Sequence, residues 1–298
     1  VDHNAPLIAG LTSIVLVLVQ QNAGGIQSVD PDWIVGGGST SRVSRSIEDV
    51  HVVEGTRSRF KRAQALIRTL PPSEAMARLA EFFIGSPYLA MSLDQLGREQ
   101  LRLDLTQFDC MLFVEQLLAM VSADSFVDFA DRTRSLRYRN GEIGYCTRQH
   151  YFHDWVGSAQ AQGVIESAPV WSAQATRNLP LNFMSSHRDR YPALQAPGLF
   201  DCIRAREQGR RIEQHYLPLA SLEAALPSLQ SGDIFAVATR VNGLDVSHMG
   251  VLVREGSRLD AIHAAPGRGV MRSRSFVRYL SSVPDAIGAV IVRPQMVQ

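Results

Sequence analysis

Residues 111–121 read MLFVEQLLAMV, a run in which only Glu115 and Gln116 are polar. Coiled as a helix, this stretch is apolar nearly all round, and such a helix has to be buried on most of its sides. The fold must therefore wrap other elements around it. Phe108-Asp109-Cys110 immediately ahead marks where the helix begins, because an aspartate at the N-cap accepts from the free N–H groups of the first turn. Residues 54–70 and 72–84 read as helices parted by Pro71 and Pro72, and 92–101 and 221–229 as short ones. The C-terminal part changes character. Residues 233–238, 249–253, 259–264, 270–272 and 287–292 read as strands punctuated by Gly243, Gly256 and Gly267. Helices first and strands later predict an α+β domain with an antiparallel sheet.

The flanking and middle segments are of other kinds. Residues 7–19, LIAGLTSIVLVLV, carry no charge; the run is short for a membrane span and right for the core of a signal peptide, with Ala23, Gly24 and Gly25 following. The expected organisation is a signal-peptide-like segment over 1–25, a Gly/Ser/Asp-rich linker over 26–52 and one domain over 53–298. The chain is then expected to be exported, periplasmic or secreted, with no stable membrane span. Between 134 and 198 periodicity is poor while aromatics and histidines cluster at 145–155, which predicts a long structured excursion. A net charge of +1, from 30 basic and 29 acidic residues, gives no general field for nucleic acid or anionic lipid. His150 and His153 lie at helical spacing but lack a third ligand, and no CxxC occurs, so neither a metal nor any other cofactor is expected.

The chemistry-bearing residues start with the cysteines. There are three, Cys110, Cys146 and Cys202, so at least one thiol is free. Cys110 stands at the first turn of the buried helix, where the partial positive charge and unpaired N–H groups favour thiolate and can hold an oxyanion; its pKa is expected to fall. Cys202 also follows Phe-Asp, but the segment after it is charged and interrupted by Gly209, a poor buried helix. His248 opens one strand and His263 ends the next. A two-residue turn at Glu255-Gly256 sets the imidazoles directly opposite on one face, with Cβ atoms roughly 4.5–5.5 Å apart. A bulge at Gly256 would instead send one ring to the other face. One ring can orient the other, as a general base requires.

Gly85-Ser86-Pro87-Tyr88, Phe108-Asp109-Cys110, Ser231-Gly232-Asp233-Ile234, Ser247-His248-Met249-Gly250-Val251 and Ile262-His263-Ala264, in that order, are similar to the NlpC/P60 superfamily of papain-like cell-wall cysteine hydrolases. Arg137-Tyr138-Arg139-Asn140-Gly141, then Arg148 to Trp155, then Gly243-Leu244-Asp245-Val246 resemble its DUF1460 branch, associated with N-acetylmuramoyl-L-alanine amidase activity on peptidoglycan fragments. The resemblance covers about residues 55–295 and departs from the common pattern at Met111 and Leu112. It implies a papain-like core with Cys110 as nucleophile, His248 as base, His263 as orienter and Tyr88 beside the oxyanion. It also implies muropeptides as substrate, with Arg148, His150, Tyr151, Asp154, Trp155, Asp109 and Ser247 as contacts. The aromatic cluster either lines that cleft, Arg148 gripping a carboxylate, or closes a second layer of core. Two rival readings are an endopeptidase cutting between D-glutamate and the diamino acid of the stem peptide, and a non-catalytic wall-binding protein on the same fold.

Overall fold

The structure, a computed structural model, describes residues 49–94, 97–168 and 174–295. The signal-peptide-like segment and nearly all of the expected linker lie outside the described residues. The chain enters through strand β1 (Val50–Val52), helices α1 (Thr56–Ile67) and α2 (Pro72–Phe82), strand β2 (Leu101–Leu103), and helices α3 (Cys110–Val121) and α4 (Phe126–Arg137). A middle stretch follows: α5 (Phe152–Ala161), β3 (Ile165–Ser167), β4 (Ala175–Pro180), α6 (Phe183–Ser186), α7 (Pro197–Glu207), β5 (Arg211–Pro218) and α8 (Leu222–Ala225). The C-terminal part holds β6 (Ile234–Thr239), β7 (Val246–Glu255), β8 (Arg258–Ala265), β9 (Gly269–Ser273), α9 (Phe276–Ser282) and β10 (Ala286–Pro294).

Among the described residues the main sheet has eight antiparallel strands in the order β4-β5-β10-β6-β7-β8-β9, with β3 added beside β10. Helices packed on an antiparallel sheet make this the expected α+β, papain-like arrangement. Alternation along the central strands gives the sheet two apolar faces. Ile234, Ala236, Met249, Val251, Ile262 and Ala264 belong to the core that contains α3, while Phe235, Val237, Leu252, Leu259 and Ala261 share a second core with Phe276 and Leu280 of α9.

The α3 helix is enclosed as its composition demands: every residue from Leu112 to Met120 is buried, including the two polar ones. Each of these has a dedicated partner. Glu115 takes two hydrogen bonds from Arg137, at 2.6 and 2.9 Å, and Arg137 also donates to the Arg102 carbonyl. Gln116 accepts from the Asp104 N–H and donates to its carbonyl, both at 3.0 Å. The loop leading into Cys110 is thus clamped to the helix it precedes.

Some elements differ from expectation. Val50–Val52, assigned to the linker, pair in parallel with β2. No helix spans the described part of 92–101; it is turn and loop, and Leu101 already belongs to β2. The excursion over 134–198 contains α5, α6 and β4, and with α7 and β5 it packs a core of its own around Tyr151, Leu181, Phe183, Leu194 and Ile203.

Candidate active site

Asp109 caps α3 by accepting from the Leu112 N–H at 2.7 Å, which places Cys110 on the first helical residue. The segment before it is held in extended form. Phe108 donates to the Pro87 carbonyl, Leu89 donates to the Phe108 carbonyl, and the resulting bridge sets Tyr88 alongside the entry to the helix. The other side of this strand segment hydrogen-bonds β9 through Gly85 and Ser86 to Val270. Gly269 makes that approach feasible, since a Cβ there would come within 2.3 Å of the Ser86 carbonyl oxygen. Three pieces distant in sequence, 85–89, 108–112 and 269–270, are thus joined beside Cys110.

Cys110 is half-buried and the only free cysteine, because Cys146 and Cys202 form a disulfide. Backbone N–H groups of Met249, Cys110 and Met111 act on the sulfur and favour its anion. The expected drop in its pKa does not follow. Burial, and then the adjacent Asp109 charge, push the thiol up to about 12. Burial raises the Asp109 carboxyl in turn, against the pull of the Leu112 N–H and of Arg137. Tyr88 is half-buried, and burial with the nearby Cys110 and Asp109 charges raises its phenol, so it stays a protonated donor.

The Met249 amide that acts on the sulfur belongs to the residue after His248. Between β6 and β7 the register shifts, so that Ser247 and His248 together face Val237. Such a bulge re-aims a side chain at the end of a strand. His248 Nε2 lies 2.9 Å from His263 Nδ1, with the rings edge to face at 4.9 Å between centroids. The pairing differs from the expected register. Glu255 pairs with Arg258, so the turn is Gly256-Ser257 and every partner moves by two residues. A two-residue shift preserves parity, so both rings stay on one face and meet diagonally. Continuing the register sets Gly250 opposite His263. A Cβ there would lie 2.8 Å from the His263 Cβ and 2.5 Å from the Ile262 carbonyl oxygen, so only glycine leaves the imidazole its place.

His248 is half-buried while His263 is only 5% exposed. Burial, and then the neighbouring ring, lower His248 to about 3; burial, and then Arg268, lower His263 to about 4. All three shifts favour the neutral form of the group, the thiol and both imidazoles alike. His263 extends the chain of contacts through Nε2 to the Ser273 hydroxyl at 2.9 Å, and Tyr279 lies against its ring at 4.5 Å between centroids. Ser273 and Tyr279 escaped the sequence reading, since their only signals are a hydroxyl and a phenol on elements whose pairing with β8 the sequence does not state.

The expected substrate contacts are placed differently from one another. Asp109 adjoins Cys110. Ser247 adjoins His248 and is buried, its hydroxyl without a hydrogen-bond partner among the described residues. The others belong to the excursion's scaffold. Arg148 is buried, donates to the Leu93 carbonyl at 2.5 Å, pairs with Glu99 and Asp94, and lies over the Tyr145 ring, so its guanidinium already has carboxylates. His150 binds the Tyr145 carbonyl at 2.7 Å. Tyr151 donates to Glu207 and accepts from the Met184 N–H. Asp154 pairs with Arg206 and Arg210. Trp155 is wholly buried and offers no surface to a ligand. The second of the two readings of this cluster, an added layer of core, fits these contacts. Asp245 ties that layer to the site, accepting from the His153 N–H at the start of α5 and from Val246 at the start of β7.

The AmiA-like, N-acetylmuramoyl-L-alanine amidase-like family profile matches residues 78–288. A crystal structure of an N-acetylmuramoyl-L-alanine amidase from Bacteroides uniformis is 31% identical, with a TM-score of 0.70 over 75% of this chain and 99% of that one. A Bacteroides fragilis structure described as a xylanase is also 31% identical, with a TM-score of 0.66 over 72% and 99%. A Legionella pneumophila protein of the DUF1460 family, 18% identical with a TM-score of 0.66 over 82% and 97%, shares the fold. No curated protein matches. The matched span contains Cys110, His248 and His263, and the chain belongs to the N-acetylmuramoyl-L-alanine amidase-like family.

Proposed function

We propose that the protein is a cysteine amidase that cleaves the amide between N-acetylmuramic acid and L-alanine in peptidoglycan fragments. The observation that carries this reading is the His248–His263 contact, made next to Met249, whose amide favours the anion of the Cys110 sulfur. Family membership and the likeness to the Bacteroides uniformis amidase support the substrate class.

In this mechanism His248 Nδ1 takes the thiol proton and the sulfur attacks the lactyl carbonyl carbon. The tetrahedral oxyanion accepts from the Cys110 N–H and the Tyr88 hydroxyl, donors typically worth a few kcal/mol each. His248 then passes its proton to the departing alanine nitrogen, leaving a thioester between Cys110 and the lactyl group. Water, deprotonated by the same ring, releases the acid and restores the thiol. Burial disfavours both the thiolate and the imidazolium, so the ion pair from which the sulfur attacks is a minor state that the surrounding groups must stabilise.

Export fits the disulfide, which persists in oxidising compartments. The uncharged segment at 7–19 supports the same assignment. Mass spectrometry of digested muropeptides tests the bond: free glycan together with intact stem peptide is expected, and a cut inside the peptide would overturn the assignment in favour of the endopeptidase.

A further inference from the structure

The relay from Cys110 does not end at the second imidazole. We propose that Ser273 is a positioning residue whose hydroxyl receives the Nε2–H of His263 when His248 becomes imidazolium, and so stabilises the thiolate–imidazolium state. This inference rests on the cysteine-amidase reading and deepens it.

The argument is a count of protons along the row. His248 Nε2, His263 Nδ1, His263 Nε2 and the Ser273 hydroxyl are joined by two contacts of 2.9 Å. In the resting site each ring carries one N–H, and the row can be satisfied in either direction. After His248 takes the thiol proton both its nitrogens are donors. Its Nε2–H then requires an acceptor at His263 Nδ1, which fixes the His263 proton on Nε2. That N–H is buried with its ring and needs an acceptor of its own. Among the described residues Ser273 is the one that meets it: β9 pairs with β8 so that Ser273 faces Ala261, and its side chain shares the His263 face. A hydroxyl suits the place because it accepts in the charged state and donates or accepts in the neutral one.

The other groups around His263 cannot take this role. Tyr279 of α9 lies against the ring face and, with its phenol raised by burial, remains protonated. Arg268, in the β8–β9 turn, is a cation and lowers the ring. His248 of β7 fills the Nδ1 side, and Cys110 of α3 lies beyond it, near enough for its charge to act on Tyr279.

The test compares wild type with Ser273→Ala, Ser273→Thr and Ser273→Val, the last two being isosteric. Two readouts are taken: muropeptide turnover against pH, and the pH profile of Cys110 alkylation by iodoacetamide. The hydroxyl-free variants are expected to lose about fivefold to a hundredfold in turnover, the range for a buried donor left without its acceptor. Their alkylation profile should move to higher pH. Ser273→Thr should stay near wild type on both. Equal loss in Ser273→Thr and Ser273→Val, or no loss in Ser273→Ala, overturns the proposal. If Ser273→Ala fails to fold, the Thr/Val pair carries the comparison. Should wild type cleave no muropeptide, the amidase reading fails by itself, and the alkylation profiles still decide the role of Ser273.

Discussion

Around Cys110 two local effects oppose each other. Three backbone N–H groups favour the anion, while burial and the Asp109 charge disfavour it, and the latter prevail. The same aspartate is the N-cap that makes the helix start at Cys110. Asparagine caps helices about as well as aspartate but carries no charge. Asp109→Asn should therefore keep the fold and lower the thiol pKa. The sign follows from the titration: in the alkaline range where the thiol ionises, Asp109 is itself anionic and repels the thiolate. Removing that charge moves the iodoacetamide alkylation profile of Cys110 to lower pH. An unmoved profile, or one moved upward, would show that Asp109 does not govern the sulfur.

At the level of elements, α3 is anchored through its only acidic side chain. Glu115 and Arg137 are each 2% exposed, and their ion pair joins α3 to α4 and, through the Arg102 carbonyl, to β2. Removing one partner leaves a buried uncompensated charge, so Glu115→Ala should destabilise by about 3–5 kcal/mol, while the double replacement by methionine is near neutral. Urea unfolding midpoints of both variants check this; a Glu115→Ala loss below about 0.5 kcal/mol would contradict it. The helix itself was legible because an all-apolar run with an acidic cap has few alternatives, and β6 to β10 were legible because turn glycines separate them. The contacts of Glu115 were not, since nothing local to α3 names Arg137. The histidine pair was legible in parity but not in register: the turn was expected at Glu255-Gly256, whereas the strands turn at Gly256-Ser257, a register that brings Gly250 against His263. Arg148, Tyr151 and Asp154 read as ligand contacts because their types suit a sugar–peptide cleft. Their partners Glu99, Glu207, Arg206 and Arg210 come from loops and helices whose placement depends on the excursion's own core.

Across the whole molecule, the sheet carries a helical core on one face and α9 on the other, and the excursion adds a third core beside them. The disulfide fastens the Tyr145–His150 loop to α7 within that third unit, and Asp245 links the unit to the start of β7, three residues before His248. Among the described residues no helix is long and apolar enough to cross a membrane. The account places all bond cleavage on one sulfur at the junction of α3 and β7. Cleavage of purified muropeptides by wild type and by Cys110→Ala, at matched protein concentration, tests that most directly. The account predicts that the variant folds as wild type does and loses turnover by about four orders of magnitude or more; a folded Cys110→Ala protein that still releases free glycan at the wild-type rate would contradict it.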